Sequence, residues 1–205
     1  MKPILFNTEM VKAILDGRKT VMRRVLAEKE RLDKKHGLDR EPYKFRTGEW
    51  CVDKQTDGDD YRTCVLKPRY QLGEILYVRE TWDRVPDFAR GADKYYYKAD
   101  GDLRPVAWRG NWKPSIHMPK EAARIFLRVT DIRVERLRDI TYEECKAEGF
   151  DTLIFEDDIE GLPPVTIRRF ERMWNKTIRK RDIAYFGWDA NPWVWVIEFK
   201  RTSVD

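Results

Sequence analysis

A lysine, a hydroxyl group and a pair of adjacent arginines lie close together in segment 17–24, which reads Gly-Arg-Lys-Thr-Val-Met-Arg-Arg. Side chains of these types, on a turn that leads into a strand, are suited to bind an anionic or polar ligand. Lys19, Thr20, Arg23 and Arg24 are therefore candidates for binding or catalysis. A structural role also fits, because a lysine beyond a helix complements the helix dipole and strand arginines are often simply solvated.

An amphipathic helix is predicted immediately before this segment. Thr8 is the expected N-cap, an apolar stripe follows it, and Gly17 is placed to end the helix in a left-handed turn. Lys19 would then lie at a fixed joint between helix and strand.

Glu148 is the second candidate for proton transfer, in the last turn of a short predicted helix. Thr141 and Glu144 have the spacing of a capping box, and Gly149 marks the helix end. The negative end of the helix dipole makes a carboxyl group hold its proton more readily, as a general acid must. An exposed glutamate tolerated at small cost is the alternative.

Other polar and aromatic side chains are candidate ligand contacts. His117 and Ser115 lie in a proline-bounded loop, where they could relay a proton and donate a hydrogen bond, although a lone histidine also fits a structural role. Trp82, Trp112 and Trp193 are candidates to stack on a base, which stabilises binding by ~1 to 3 kcal/mol per base. The chain has eight tryptophans, so most of them must lie in the core.

The composition indicates one domain with a surface of mixed charge. The 205 residues are 38% charged with a net charge of +5, which favours an acidic partner such as nucleic acid. Cys51, Cys64 and Cys145 form no close pair and lie far from the histidines, so we expect neither a zinc site nor disulfides, and no cofactor. No apolar stretch resembles a signal peptide or a membrane span, so a cytoplasmic protein is expected.

Strand patterns dominate the chain. Segments 45–50 and 61–66 are predicted to form a hairpin with its turn at 57–60. Segment 73–82 is predicted as a central strand, and 124–136 as a longer strand with a bulge near Asp131. Further strands are predicted at 95–97 and 193–199. Irregular loops rather than helical crossovers separate them. We therefore expect a mainly β protein, α+β by content, built on a small β-barrel with peripheral helices.

Two segments concentrate charge. The run from Glu28 to His36 is interpreted as peripheral. A helix is predicted from about Val165 to Arg179, and its basic side chains could lie along a phosphate backbone. They could equally pair with the acidic residues of 156–160.

Several of these motifs, taken in order, resemble the ASCH domain, a relative of the RNA-binding PUA barrel. They are 17–20 with Arg24, then 73–78, then the strand that leads into the 141–149 helix. Segments 113–119 and 188–193 are similar to ASCH-containing proteins encoded by bacteriophages and prophages. The resemblance implies a single domain over 1–205, with insertions at about 26–70 and 150–186, and a barrel cleft that holds a nucleotide or a modified base.

One branch of that family removes the acetyl group from acetylcytidine. In it a lysine acts as base on a threonine nucleophile, and a glutamate serves in proton transfer. By position, the resemblance assigns the lysine to Lys19 and the glutamate to Glu148, but the threonine position holds Met22. A thioether cannot form an acyl intermediate, so Thr20, or water activated by Lys19 or Glu148, would have to take its place.

Three functions remain open from the sequence. The first is binding of RNA, DNA or a nucleotide in a cleft formed by Lys19, Thr20, Arg23 or Arg24, and Glu148. The second is hydrolysis of acetylcytidine-like nucleosides, and the third is a phage protein–protein interaction module that uses the basic helix and the charged segment. The first predicts that Lys19→Ala weakens binding and leaves the melting temperature nearly unchanged.

Overall fold

A five-stranded mixed sheet forms the centre of the molecule in the computed structural model, which describes residues 1–26, 41–55, 61–84, 95–106, 109–150 and 164–203. From one edge to the other its strands are β1 (Lys2–Leu5), β6 (Ile75–Arg79), β9 (Phe126–Arg136), β10 (Trp193–Thr202) and β2 (Val21–Val25). The β1–β6 pair is parallel and the other three pairs are antiparallel.

Two smaller sheets accompany the central one within the described ranges. The first contains β3 (Tyr43–Lys44), β4 (Trp50–Gln55) and β5 (Tyr61–Leu66), and the second contains β7 (Trp82–Arg84) and β8 (Tyr95–Tyr97).

The predicted strand over 45–50 is wrong, because most of that segment forms a turn. The Phe45 N–H donates to the Glu49 carbonyl at 2.7 Å, and the Gly48 N–H donates to the Phe45 carbonyl at 2.8 Å. Gly48 has φ of +88°, a left-handed conformation that glycine adopts without strain. The strand begins at Trp50 instead, and the predicted turn at 57–60 lies outside the described residues.

The other strand predictions are confirmed, except that the strand expected over 73–82 ends at Arg79 and Trp82 begins β7 in another sheet. β6 lies between β1 and β9, as expected for the central strand of the first half. The β9–β10 register shifts opposite the predicted bulge, since Glu198 pairs with Asp131 but Phe199 pairs with Val129.

In the described part of the chain, four α-helices lie around these sheets: α1 (Thr8–Leu15), α2 (Tyr142–Ala147), α3 (Val165–Thr177) and α4 (Ile183–Phe186). The α1 N-cap is Asn7 rather than Thr8, because the Asn7 side chain reaches the free N–H of Met10 at 2.8 Å. The capping box of α2 is confirmed, with the Thr141 side chain accepting from the Glu144 N–H and Glu144 accepting from the Thr141 N–H.

Both faces of β10 are covered by other parts of the protein. Its side chains alternate between faces, so Trp195, Ile197 and Phe199 join an apolar cluster that includes residues of α1 and β4, whereas Val194 and Val196 join one that includes residues of α2 and α3. Apolar residues at both alternations are typical of a strand covered on both sides. Helices α2 and α3 are thereby fixed against one face of β10.

The described strands do not close into the expected barrel, although the mixed α+β class, with more sheet than helix, is confirmed. Among the described residues β1 pairs only with β6 and β2 only with β10, so both edges of the central sheet stay unpaired. The charged run after Val25 and the acidic residues of 156–160 lie outside the described ranges. No helix within those ranges is both long and apolar enough to cross a membrane.

Candidate ligand-binding site

A cavity of about 210 Å³ is lined by residues of both edge strands of the central sheet. Leu5, at the end of β1, lines one side, and Met22 and Arg24 of β2 line the other. Because β1 and β2 are opposite edges of the sheet, the sheet must curve to bring both to one cavity.

Aromatic rings form much of the cavity wall. They are Phe6 just before the N-cap of α1, Phe150 just after α2, and Phe170 and Trp174 of α3. The Phe170 ring centroid lies 5.7 Å from that of Phe150 and 6.1 Å from that of Trp174. None of these four aromatic residues was among the candidate ligand contacts expected from the sequence, and the position of Phe150 beside Gly149 was the available signal for its role.

Lys19 and Glu148 meet at the inner end of the cavity. Their backbones form an isolated antiparallel β-bridge, next to which the Thr20 N–H donates to the Ala147 carbonyl at 2.8 Å. Lys19 Nζ lies 2.6 Å from Glu148 Oε2, and the two side chains are 1% and 5% exposed. Glu148 is therefore buried and paired. The alternative sequence-based interpretation, an exposed glutamate tolerated at small cost, is wrong.

Burial lowers the pKa of Lys19, because removing an ammonium group from water disfavours its charged form. The Glu148 carboxylate opposes this by attraction, and the positive charges of Arg24 and Arg23 add to the lowering. Together these effects leave the pKa of Lys19 below its ordinary value.

Arg23 connects the Lys19–Glu148 pair to helix α2. Its side chain is fully buried, with Nη1 3.4 Å from Glu148 Oε1 and Nη2 3.0 Å from Glu144 Oε2. Nη2 also lies 3.5 Å from Glu135 Oε2. Glu144 therefore both caps α2 and neutralises an arginine of the cavity, a second role that its capping-box position did not indicate.

Arg133 extends this network toward the sheet surface. It pairs with Glu144 at 2.7 Å and also contacts Glu135, Glu198 and Asp131. Burial raises the pKa of Glu144, but the Thr141 N–H and the guanidinium groups of Arg23 and Arg133 outweigh it and leave that pKa lowered. Glu144 is thus held in its charged form.

Four predicted site residues line the cavity: Lys19, Arg23, Arg24 and Glu148. Met22 lines it as well and is 3% exposed. The remaining candidate residue of segment 17–24, Thr20, is exposed and is not part of the lining.

The other predicted residues lie away from the cavity. Trp82 is buried in a separate apolar cluster. Ser115 and His117 belong to a 3₁₀ turn in which His117 is exposed. Trp193 begins β10, with the Arg136 guanidinium 4.3 Å from its ring centroid.

No cluster of three His, Cys, Asp or Glu side chains suited to a metal ion occurs in the described parts of the chain. Family models, curated proteins and solved structures give no match to this chain. The chemistry of the site must therefore be argued from its own geometry.

Proposed function

We propose that this chain is a PUA-like protein of the ASCH type that binds a nucleotide, or one base of RNA or DNA, in the cavity between β1 and β2. The observation that supports this most is a cavity of about 210 Å³ with aromatic walls and buried charged groups at its inner end. The approach of the two sheet edges to one cavity supports the PUA-like part of the proposal. As part of it, the protein works in the cytoplasm of a bacterium that carries the phage or prophage.

The size and the walls of the cavity favour a single flat ring. Pockets for drug-sized ligands measure roughly 300–1,000 Å³, so this smaller cavity admits one base and leaves most of the ligand outside. Phe150, Phe170 and Trp174 line the cavity, and stacking of a base on an aromatic side chain contributes ~1 to 3 kcal/mol per base.

Positive charge lies at the mouth of the cavity. Arg24 is exposed and contributes to the lining, as does Thr177 at the end of α3. Lys176, Arg179 and Lys180, close to Thr177 in the chain, are also exposed. A base in the cavity would place its phosphate near these cations, and longer strands would gain further contacts that weaken with salt.

Titration calorimetry with nucleosides, their 5′-monophosphates and a short single-stranded oligonucleotide tests the proposal. We expect the monophosphate to bind more tightly than its nucleoside at low salt. Arg24→Gln should remove that difference and leave the nucleoside affinity unchanged. Arg62→Gln, which alters an exposed arginine of β5 away from the cavity, is the matched control. A protein that binds none of these ligands contradicts the proposal.

A hydrolase acting on acetylcytidine-like nucleosides is the second candidate. The observation in its favour is the buried lysine of lowered pKa, 2.6 Å from a carboxylate. Met22 occupies the position that the resemblance assigns to the nucleophile, and Thr20 does not reach the cavity lining. The attacking group would therefore have to be water.

Incubation with acetylcytidine, followed by chromatography with mass detection of cytidine, tests the second candidate. Turnover that disappears in Glu148→Gln supports water-based hydrolysis. Turnover that appears only after Met22→Thr indicates a catalytic fold that lacks its nucleophile. Absence of turnover in both the original protein and Met22→Thr contradicts the candidate.

A further inference from the structure

The part of Arg23 that reaches the cavity is its main chain. The residue as a whole is 5% exposed, whereas its side chain is 0% exposed. The accessible surface of Arg23 therefore belongs to main-chain atoms, and Arg23 is one of the residues that line the cavity. Its guanidinium is enclosed among the carboxylates of Glu135, Glu144 and Glu148 instead. A ligand in the cavity can thus meet the backbone of Arg23 but not its charged group.

The pairing of β2 with β10 decides where the main-chain N–H and C=O of Arg23 point. Before β2, the Phe199 N–H donates to the Thr20 carbonyl at 2.9 Å. After β2, the Leu26 N–H donates to the Trp193 carbonyl at 3.1 Å. In an antiparallel pair, every second residue exchanges hydrogen bonds with the neighbouring strand, and the residues between them direct both groups to the other side. The even-numbered residues of β2 therefore face β10, and Arg23 directs its N–H and C=O to the unpaired edge.

Of the odd-numbered residues of β2, Arg23 is the one that can offer both groups to a ligand in the cavity. The Val21 carbonyl already accepts from Lys19 Nζ at 2.7 Å, and Val25 does not line the cavity. The N–H and C=O of Arg23 have no hydrogen-bond partner among the described residues. Main-chain groups that are largely removed from water are almost always paired in native proteins. A bound ligand would supply that pairing.

One donor beside one acceptor indicates the kind of ligand that fits. Each nucleobase carries an acceptor next to an N–H donor on its pairing edge, for example O4 and N3–H of uracil, and proteins bind unpaired bases through this edge. A peptide strand that extends a sheet needs several edge residues in a row instead, and β2 offers one here. Phe170 and Trp174 in the cavity wall also favour a flat ring.

We propose that the main chain of Arg23 binds the pairing edge of one base, with its N–H donating to a ring acceptor and its C=O accepting from the adjacent donor. This rests on the proposed function and specifies its ligand class. The base must be unpaired, because its pairing edge is occupied by the free edge of β2. The ligand is therefore a free nucleotide or a nucleotide of a single strand, and not one within an intact duplex.

Nucleosides methylated on the pairing edge test the contact with the unaltered protein. The probe is whichever of uridine, cytidine, adenosine and guanosine binds most tightly, beside its analogue methylated on the ring nitrogen of the pairing edge. We expect the analogue to bind roughly 10-fold or more weakly, because it loses a donor or an acceptor and leaves a main-chain group of Arg23 unpaired. The 2′-O-methyl nucleoside, whose pairing edge is intact, is the matched control and should lose less affinity.

Amide hydrogen exchange, measured by NMR on the isotope-labelled protein, assigns the contact to Arg23. We expect the bound nucleoside to slow exchange of the Arg23 amide roughly 10-fold or more beyond any slowing at Val25, whose amide points to the same edge outside the cavity. A short oligonucleotide should also bind more tightly as a single strand than when annealed to its complement.

Three results would overturn the inference: equal slowing of the Arg23 and Val25 amides, a pairing-edge methyl analogue that binds as tightly as its parent nucleoside, or a duplex that binds as tightly as the single strand. Failure of every nucleoside and nucleotide to bind would overturn the proposed function itself, so the two failures are distinguishable.

Discussion

A Cβ atom at Gly149 would lie 2.9 Å from the Cβ atom of Ala13, so the end of α2 and helix α1 approach each other as closely as a glycine permits. Gly149 also has φ of +95°, which L side chains rarely adopt. The contact fixes the position of Glu148, one residue earlier, against Lys19.

Gly149→Ala is therefore expected to destabilise the protein in two ways. The positive φ is one cause of strain, and overpacking against Ala13, which typically costs about 1–3 kcal/mol, is the other. Gly101→Ala is the matched control, because Gly101 has a similar φ of +90° but nothing within 4 Å of its added Cβ. Urea denaturation should show a larger loss for Gly149→Ala, and equal losses would exclude the packing contribution.

Lys19→Met should lower the free energy of unfolding by about 3–5 kcal/mol. Among the described residues, it leaves the buried Glu148 carboxylate with a single ion pair, the 3.4 Å contact to Arg23. This replaces the sequence-based expectation that loss of Lys19 leaves the melting temperature nearly unchanged, which assumed an accessible side chain. The double variant Lys19→Met/Glu148→Leu removes both charges and should be more stable than the single variant. A single variant within measurement error of the original protein would contradict the prediction.

Stability should fall as the pH rises from about 10 to 12. Burial raises the pKa of Tyr97 from 10.0 to about 12, so in this range the folded protein keeps a proton that the unfolded chain loses. Below pH 10 Tyr97 is protonated in both states and its contribution is constant. Tyr97→Phe also loses the hydrogen bond to the Ala122 carbonyl at 2.7 Å, so the variant should be less stable below pH 10 and the difference should shrink above it.

Chemical denaturation at several pH values from 9 to 12 measures this effect. Tyr185→Phe, which changes an exposed tyrosine, serves as the control. A constant difference between Tyr97→Phe and the original protein across the range would contradict the assignment.

The three cysteines should differ in their reaction with iodoacetamide. Cys145 is fully buried, and burial raises the pKa of its thiol to about 12. Burial also raises the pKa of Cys51, whereas Cys64 is partly exposed. Because the thiolate is the reactive form, mass spectrometry of the native protein at pH 8 should find Cys64 modified first. All three should react in guanidinium, and a Cys145 as reactive as Cys64 under native conditions would show that α2 opens readily.

The elements that the sequence predicted well are those with local determinants. The Thr141 capping box and the Asp131 bulge depend on residues within a few positions, and both lie where the pattern indicated. The strand at 45–50 was misplaced because the aromatic residues at its ends outweighed Gly48, whose left-handed conformation makes the turn.

The site was harder to predict because its contacts are distant in the chain. Lys19 and Glu148 are 129 residues apart, and their proximity was expected only from the resemblance, not from spacing. Their burial depends on packing between α2, α3 and β2. So do the three hydrogen bonds that Lys19 Nζ donates within the protein and the pairing of Arg23 with Glu144. No local pattern encodes that packing.

The position of β10 sets an order of events during synthesis. This last strand inserts between β9 and β2, so the edge strand that carries Arg23 and Arg24 has no neighbour in the central sheet until about residue 202 has left the ribosome. Before then, β2 and the β10-facing side of β9 are unpaired and their apolar residues are exposed, which makes the growing chain prone to aggregation. The cavity is consequently completed only after β10 has been translated, and a chain interrupted before β10 would lack the candidate site.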